Sequence, residues 1–159
     1  MISVCLVDDQ NLVRQGVRSL LDLDKDIRVV AEFADGTEAL RDIPRVKPDV
    51  VLLDLRMPTM SGLEVLRGLS ARNELPPTII LTTFDDDQLV LQGIKAGARG
   101  YLLKDVSLQQ LVEAVRIVAA GGSLVAPMVS QRLTAGVARM QNHFSSLEHP
   151  DPLTDRETE

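Results

Sequence analysis

Four short apolar runs of this chain each lead into a side chain able to do chemistry. Ile2–Val7 leads into Asp8 and Asp9, Val50–Leu53 into Asp54, the run from Thr78 into Thr82 and Thr83, and Gly100–Leu103 into Lys104. Carboxylates crowded together repel one another, and their proton affinity rises unless a cation stands between them. A small set of oxygen ligands suits Mg²⁺, which keeps several waters and readily meets a phosphate as well. A Mg²⁺ site beside a further carboxylate and an ammonium is laid out for phosphoryl transfer. The cations neutralise the phosphoryl oxygens while an oxygen nucleophile attacks in line. Aspartate is a known acceptor of this kind. Asp8 and Asp9 are adjacent and can share the metal, so the pair is assigned to Mg²⁺ and the solitary Asp54 to the nucleophile.

Each residue has a plainer reading. Asp8 or Asp9 caps the first helix, Asp54 opens the turn toward Pro58, Thr82 is a β-branched strand residue, and Lys104 is a solvated surface cation. The set resists that treatment, because four separate runs deliver complementary groups at one end.

The elements that would bring them together are legible. Five β-rich runs, Ile2 to Val7, Arg28 to Phe33, Val50 to Leu53, Thr78 to Thr82 and Gly100 to Leu103, include several continuous apolar stretches, the pattern of parallel strands covered on both faces. Helical spacing lies between them. Leu12, Val13, Gly16, Val17, Leu20 and Leu21 form one stripe. Asp35-Gly36-Thr37 precedes a short helix stopped before Pro44. Leu63, Leu66 and Leu69 mark a third helix, and Leu89, Val90 and Ile94 a fourth that closes at Gly97. Ser107 and Gln110 form a capping box ahead of Leu111, Val115 and Val118, and Gly121-Gly122 ends that fifth helix. Strand and helix alternating five times is a (βα)5 plan, a doubly wound parallel sheet with helices on both faces. Residues 1–122 account for all ten elements. In such a sheet, ligands sit beyond the carboxyl ends of the strands, where the acids, the threonines and the lysine are placed.

The 159 residues suit one domain with a short appendage, and 45% apolar with 25% charged residues is ordinary globular composition. Seventeen basic against 23 acidic residues leave a net charge of −6, a poor balance for gripping nucleic acid or an anionic membrane. With three Phe, one Tyr and no Trp, base stacking is disfavoured as well. Cys5 has no partner for a disulfide and lies in an apolar run, which reads as a core residue in a reducing compartment. No signal peptide and no apolar stretch of roughly 18 residues is visible, so the expected location is cytoplasmic.

Residues 123–152 read as a linker. An amphipathic helix spans about 127–141 within it through Val129, Leu133, Val137 and Met140, and His143 and His149 lie in its solvated part. Thr154 and Glu157 form a second capping box just before the chain ends, which suggests a helix start cut from a longer protein.

Leu6-Val7-Asp8-Asp9, Leu53-Asp54-Leu55-Arg56-Met57-Pro58 with Gly62, Leu81-Thr82, and Gly97-Ala98-Arg99-Gly100-Tyr101-Leu102-Leu103-Lys104 together resemble the receiver domain of bacterial two-component response regulators. The resemblance covers residues 1–122 with every motif in order. Leu153-Thr154-Asp155-Arg156-Glu157 is similar to the opening of a LuxR-type (NarL/FixJ subfamily) helix-turn-helix domain, which places residues 153–159 in a truncated output domain.

The resemblance implies a flavodoxin-like sheet of order 2-1-3-4-5 and phosphorylation of Asp54 by a sensor histidine kinase, with acetyl phosphate as a substitute donor. It implies Mg²⁺ held by Asp9, Asp54 and the backbone carbonyl of Arg56, with Asp8 acting mainly through water. Thr82 would hydrogen-bond the phosphoryl group, Lys104 would pair with it, and Tyr101 would turn inward behind Thr82 as the switch. The face altered by the switch would be the fourth helix, fifth strand and fifth helix, favouring a homodimer on activation whose pairing helices the sequence does not specify, with DNA bound only through the missing C-terminal domain and no membrane partner. The domain would be no enzyme in the usual sense, catalysing only its own phosphoryl transfer and aspartyl-phosphate hydrolysis.

Two positions depart from the pattern. Thr83 stands where a smaller residue is usual and narrows access to Asp54, and Lys104 is followed by Asp105 rather than proline, leaving the isomer of that bond open. Asp85-Asp86-Asp87 reads as a solvated start of the fourth helix. An aspartate-nucleophile phosphatase would want an acid where Arg56 stands, and the glycine-free Asp8-Asp9-Gln10-Asn11 loop disfavours a nucleotide or flavin site. A receiver-like module that no longer takes phosphate would lack some of these residues; all are present.

Overall fold

Val50–Asp54 and Thr78–Thr82 are buried at every position, as strands covered by helices on both faces must be. A computed structural model describes residues 1–82 and 87–124. Strands β1 (Ile2–Val7), β2 (Ile27–Phe33), β3 (Val50–Asp54), β4 (Thr78–Thr82) and β5 (Gly100–Leu103) alternate with helices α1 (Asn11–Asp22), α2 (Gly36–Val46), α3 (Gly62–Ala71), α4 (Asp87–Lys95) and α5 (Leu108–Ala119). The sheet runs β2-β1-β3-β4-β5 with every neighbouring pair parallel, the flavodoxin-like order expected from the sequence. β2, at the sheet's edge, alternates between buried and more exposed positions, whereas β3 and β4 at the centre do not. Leu52, Leu53, Ile79 and Ile80 are at most 1% exposed. Each such side chain stabilises the fold by roughly 1.5–3 kcal/mol relative to exposure.

Chain order reverses between β1 and β3. The crossover from β1 leads outward to β2, and the later strands lie on the other side, which opens a crevice at the carboxyl ends of β1 and β3. Register then decides which residues meet there. Val7 pairs with Leu53, Asp54 with Leu81 and Thr82 with Leu103, so Asp8, Asp54, Thr82 and Lys104 arrive at one level.

Some sequence expectations are corrected. The second helix does not stop before Pro44; α2 carries it in its last turn and ends at Val46, capped by Lys47 at φ +51°. Proline there removes only the bond its own amide would make to the carbonyl four residues back, and the helix still closes beyond it with the Lys47 amide donating to the Ile43 carbonyl at 3.0 Å. Asp35 caps α2 by accepting the Thr37 amide at 2.7 Å. The stripe on α1 divides: Val13, Val17 and Leu20 are half-buried and Leu21 is buried, while Leu12 is 82% exposed. Strand β2 starts one residue earlier than expected, and β3 includes Asp54 itself. The chain leaving α5 packs beyond residue 122, since the Leu124 amide donates to the Arg99 carbonyl at 2.7 Å beside Gly100.

The Ser107–Gln110 capping box is present, and a second box, Ser61 with Glu64, starts α3. Gly97 closes α4 at φ +121°. Cys5 is buried, and burial pushes its thiol up to about 12, as suits a core residue. No helix among the described residues is long and apolar enough to cross a membrane. The expectations for Thr83, Asp85, Asp86, the helix at 127–141, His143, His149 and residues 153–159 lie outside the described residues.

Candidate functional site

Asp8 follows β1 and is 2% exposed, Asp54 ends β3 at 4%, and Thr82 ends β4 at 1%. Asp9 is exposed. Asp8, Asp9 and Asp54 each offer a carboxylate oxygen within 4.8 Å of the others. The local hydrogen bonds account for this. Asp8 Oδ1 accepts the Gln10 amide at 2.8 Å, and Asp54 Oδ1 accepts the Arg56 amide at 3.2 Å. Each acid thus folds the backbone that follows it around its own carboxylate. Neither Asp8 nor Asp9 caps α1; Gln10 holds that position, and its side chain makes no capping bond.

Lys104 enters from β5. Its amide donates to the Thr82 carbonyl at 2.9 Å, which ties the ends of β4 and β5 together. Its Nζ lies 3.2 Å from Asp8 Oδ2, 3.2 Å from Asp54 Oδ2 and 3.4 Å from Gln10 Oε1. The ammonium therefore stands between the two buried acids, and with 18% side-chain exposure it is not the solvated surface residue of the plainer reading. Asp8 Oδ2 is buried with no hydrogen-bond partner, so its approach to Lys104 is an ion pair without hydrogen-bond geometry.

The electrostatics follow. Burial, then the neighbouring charge of Asp8, raises the Asp54 carboxyl to about 6 against the opposing pull of Lys104 and the Arg56 amide. Burial alone would depress Lys104, but the charges of Asp54 and Asp8 outweigh it and hold the ammonium above its ordinary value. One cation thus serves two acids that are both short of water, with a third acid at the rim. An all-oxygen donor set, one of whose buried carboxylate oxygens makes no hydrogen bond, fits a hard divalent cation.

Tyr101 is 8% exposed on β5, paired in register with Ile80, and so is not a surface ring. Arg56 follows Asp54 by two residues and is exposed between the buried Leu55 and Met57. The Lys104–Asp105 bond is trans, since no cis peptide occurs among the described residues. The structure thus brings together Asp8, Asp9, Asp54, Thr82 and Lys104, with Arg56 joined through its amide.

Gly62 contributes more to the site than its place in the motif indicated. A Cβ there would fall 2.1 Å from the Asp54 carbonyl oxygen, and the Gly62 amide donates to Leu55 at 3.0 Å. The loop after Asp54 folds back so closely that only hydrogen fits. Arg14 was missed altogether: its guanidinium donates to the Asp8 carbonyl. Arg14 and Arg18, one turn apart beside the apolar stripe of α1, were the available signal.

The profile of the family described as response regulator receiver domain matches residues 4–116. Among curated relatives, the transcriptional regulatory protein UhpA of Escherichia coli (strain K12) is 41% identical over 160 residues, covering 99% of this chain and 72% of its own length. The nitrate/nitrite response regulator protein NarP of the same strain is 43% identical over 155 residues, covering 97% of this chain and 70% of its own. A solved two-component response regulator of the LuxR family from Aurantimonas sp. SI85-9A1 superposes with a TM-score of 0.77 at 31% identity, over 87% of this chain and 99% of that one.

Proposed function

This chain belongs to the family of response regulator receiver domains, and from that membership we propose that Asp54 accepts a phosphoryl group from a sensor histidine kinase. As a receiver of two-component signalling in the company of transcriptional regulators, it serves an output exerted on DNA. The observation that carries the acceptor assignment is the meeting of Asp54 with Asp8, Asp9 and Lys104 beyond the carboxyl edge of the sheet.

Asp9, Asp54 and the Arg56 carbonyl are the ligands for Mg²⁺ in this reading, and Asp8 acts mainly through water. Bound there, Mg²⁺ supplies positive charge to the phosphoryl oxygens and competes with protons for the carboxylates. The chain's own groups do the rest. With its carboxyl near 6, Asp54 is mostly ionised at neutral pH and able to attack. An oxygen–phosphorus bond forms to Asp54 as the phosphorus–nitrogen bond of the donor imidazole breaks, and the departing imidazole takes up a proton. Lys104, already 3.2 Å from Asp54, pairs with the new charge. Thr82, buried at the neighbouring strand end, donates its hydroxyl to the phosphoryl group, and Tyr101 on β5 follows as the switch.

Hydrolysis of the aspartyl phosphate by the domain's own groups belongs to the same reading. So do a cytoplasmic location and a homodimer on activation. Residues 153–159 are read as the opening of a LuxR-type helix-turn-helix domain, supported by the relatives' names as transcriptional regulators. The metal assignment is tested by Asp9→Ala: Mg²⁺-dependent phosphorylation of Asp54 should be abolished, and full activity in that variant would sink it.

A further inference from the structure

The loop that carries Asp8 and Asp9 is not secured by a side-chain cap on α1. It is secured from below by Arg14. Nη1 of Arg14 donates to the main-chain carbonyl of Asp8, and Nη2 donates to Asn11 Oδ1. The Arg14 side chain is 14% exposed, and its Nε, which makes no hydrogen bond, forms an ion pair with Glu32 Oε1 on β2 at 3.4 Å. The other oxygen of Glu32 accepts from Arg18, so one β2 carboxylate anchors two α1 arginines. Asp8 Oδ1 in turn accepts the Gln10 amide, which closes the turn presenting Asp9. The chain of contacts runs from β2 through Glu32 and Arg14 to the backbone between the two acids.

We propose that Arg14, braced by Glu32, is a positioning residue that sets the turn of the acid pair and thereby the Mg²⁺ affinity of the site. This rests on the reading of Asp8, Asp9 and Asp54 as the cation site. Arginine suits the task because its planar fork reaches the Asp8 carbonyl and Asn11 together while its third nitrogen faces an acid. The sign of the effect separates positioning from charge. Arg14 is itself a cation, so by electrostatics alone its removal favours binding of another cation. Loss of positioning does the reverse, and groups that orient metal ligands are typically worth 10–100-fold in affinity.

The test is Mg²⁺ titration of the full 159-residue chain, followed by backbone amide shifts well below the melting temperature, in wild type, Arg14→Met and Arg14→Lys. The expected result is about tenfold weaker Mg²⁺ binding in Arg14→Met, with Arg14→Lys in between. Faster amide exchange at Gln10 in the metal-free Arg14→Met protein should accompany it. Equal or tighter Mg²⁺ binding in Arg14→Met overturns the proposal. Should that variant not fold, Arg14→Lys decides: it keeps the charge and loses the fork, so weaker binding supports the proposal and unchanged binding overturns it. Failure of the cation-site reading looks different, because wild type itself then shows no Mg²⁺-dependent shifts, and the proposal falls with it.

Discussion

Lys104 Nζ stands 3.2 Å from Asp54 Oδ2 and at the same distance from Asp8 Oδ2, so a single ammonium occupies the space between two buried acids. It already supports the position where the transferred charge must arrive. It also competes with any metal for the same carboxylates.

Lys104→Met should therefore separate two effects. Without the competing cation, Mg²⁺ should bind more tightly, by roughly tenfold or about 1.4 kcal/mol. The conformational response to phosphorylation should nevertheless be lost, because the phosphoryl group no longer has its ammonium partner. Calorimetric Mg²⁺ affinity together with amide exchange of the phosphorylated protein checks both; weaker Mg²⁺ binding would contradict the competition.

A pH dependence follows from Asp54. Its carboxyl rises from 3.8 to about 6 on folding, so the folded protein holds the proton more tightly than the unfolded chain. The associated stability is fully present below about pH 4 and is lost as pH rises through 6. For the metal-free protein the change amounts to about 3 kcal/mol between those limits. Asp54→Asn should flatten that part of the curve and leave the variant more stable than wild type at pH 7.5. Urea denaturation in EDTA at pH 5 and pH 7.5 measures it, and parallel slopes in the two proteins would refute it. The same proton should weaken Mg²⁺ binding below pH 6.

Gly62→Ala should disturb the acceptor without touching its side chain. The added methyl would lie 2.1 Å from the Asp54 carbonyl oxygen, so the loop must move. Loss of at least about 1–3 kcal/mol of stability is expected, with slowed phosphorylation in whatever protein folds. Wild-type melting and wild-type phosphorylation rates in this variant would show that the close approach is not needed.

Thr82→Ala should leave Asp54 able to take phosphate and blunt the response. Thr82 is buried beside the acceptor strand and lies outside the acid cluster. Intact mass should show normal phosphorylation, while phosphorylation-dependent amide shifts on α4, β5 and α5 should shrink. A complete response would remove Thr82 from the switch.

Much of this is legible in the sequence, for identifiable reasons. Strand ends are readable where apolar runs stop, and parallel topology sends those ends to one edge, so Asp8, Asp9, Asp54, Thr82 and Lys104 were identified together. The capping box at Ser107 was equally local. Relations depending on distant side chains were not legible. The Arg14–Glu32 contact joins a helix to a strand 18 residues on in sequence, which no periodicity encodes. The fit of Gly62 against Asp54 depends on how the loop folds back. Pro44 misled because a proline removes a single backbone bond, and here the helix runs two residues past it to Val46. Leu12 misled because an apolar stripe does not show which of its members faces the sheet.

The central claim is that Asp54 is the phosphoryl acceptor. Intact mass after incubation with Mg²⁺ and either acetyl phosphate or phosphoramidate, beside Asp54→Asn and an EDTA control, tests it most directly. A single phosphoryl adduct in the wild-type chain, absent from both controls, is the result this account requires. No adduct from either donor, or an equal adduct in Asp54→Asn, would contradict it.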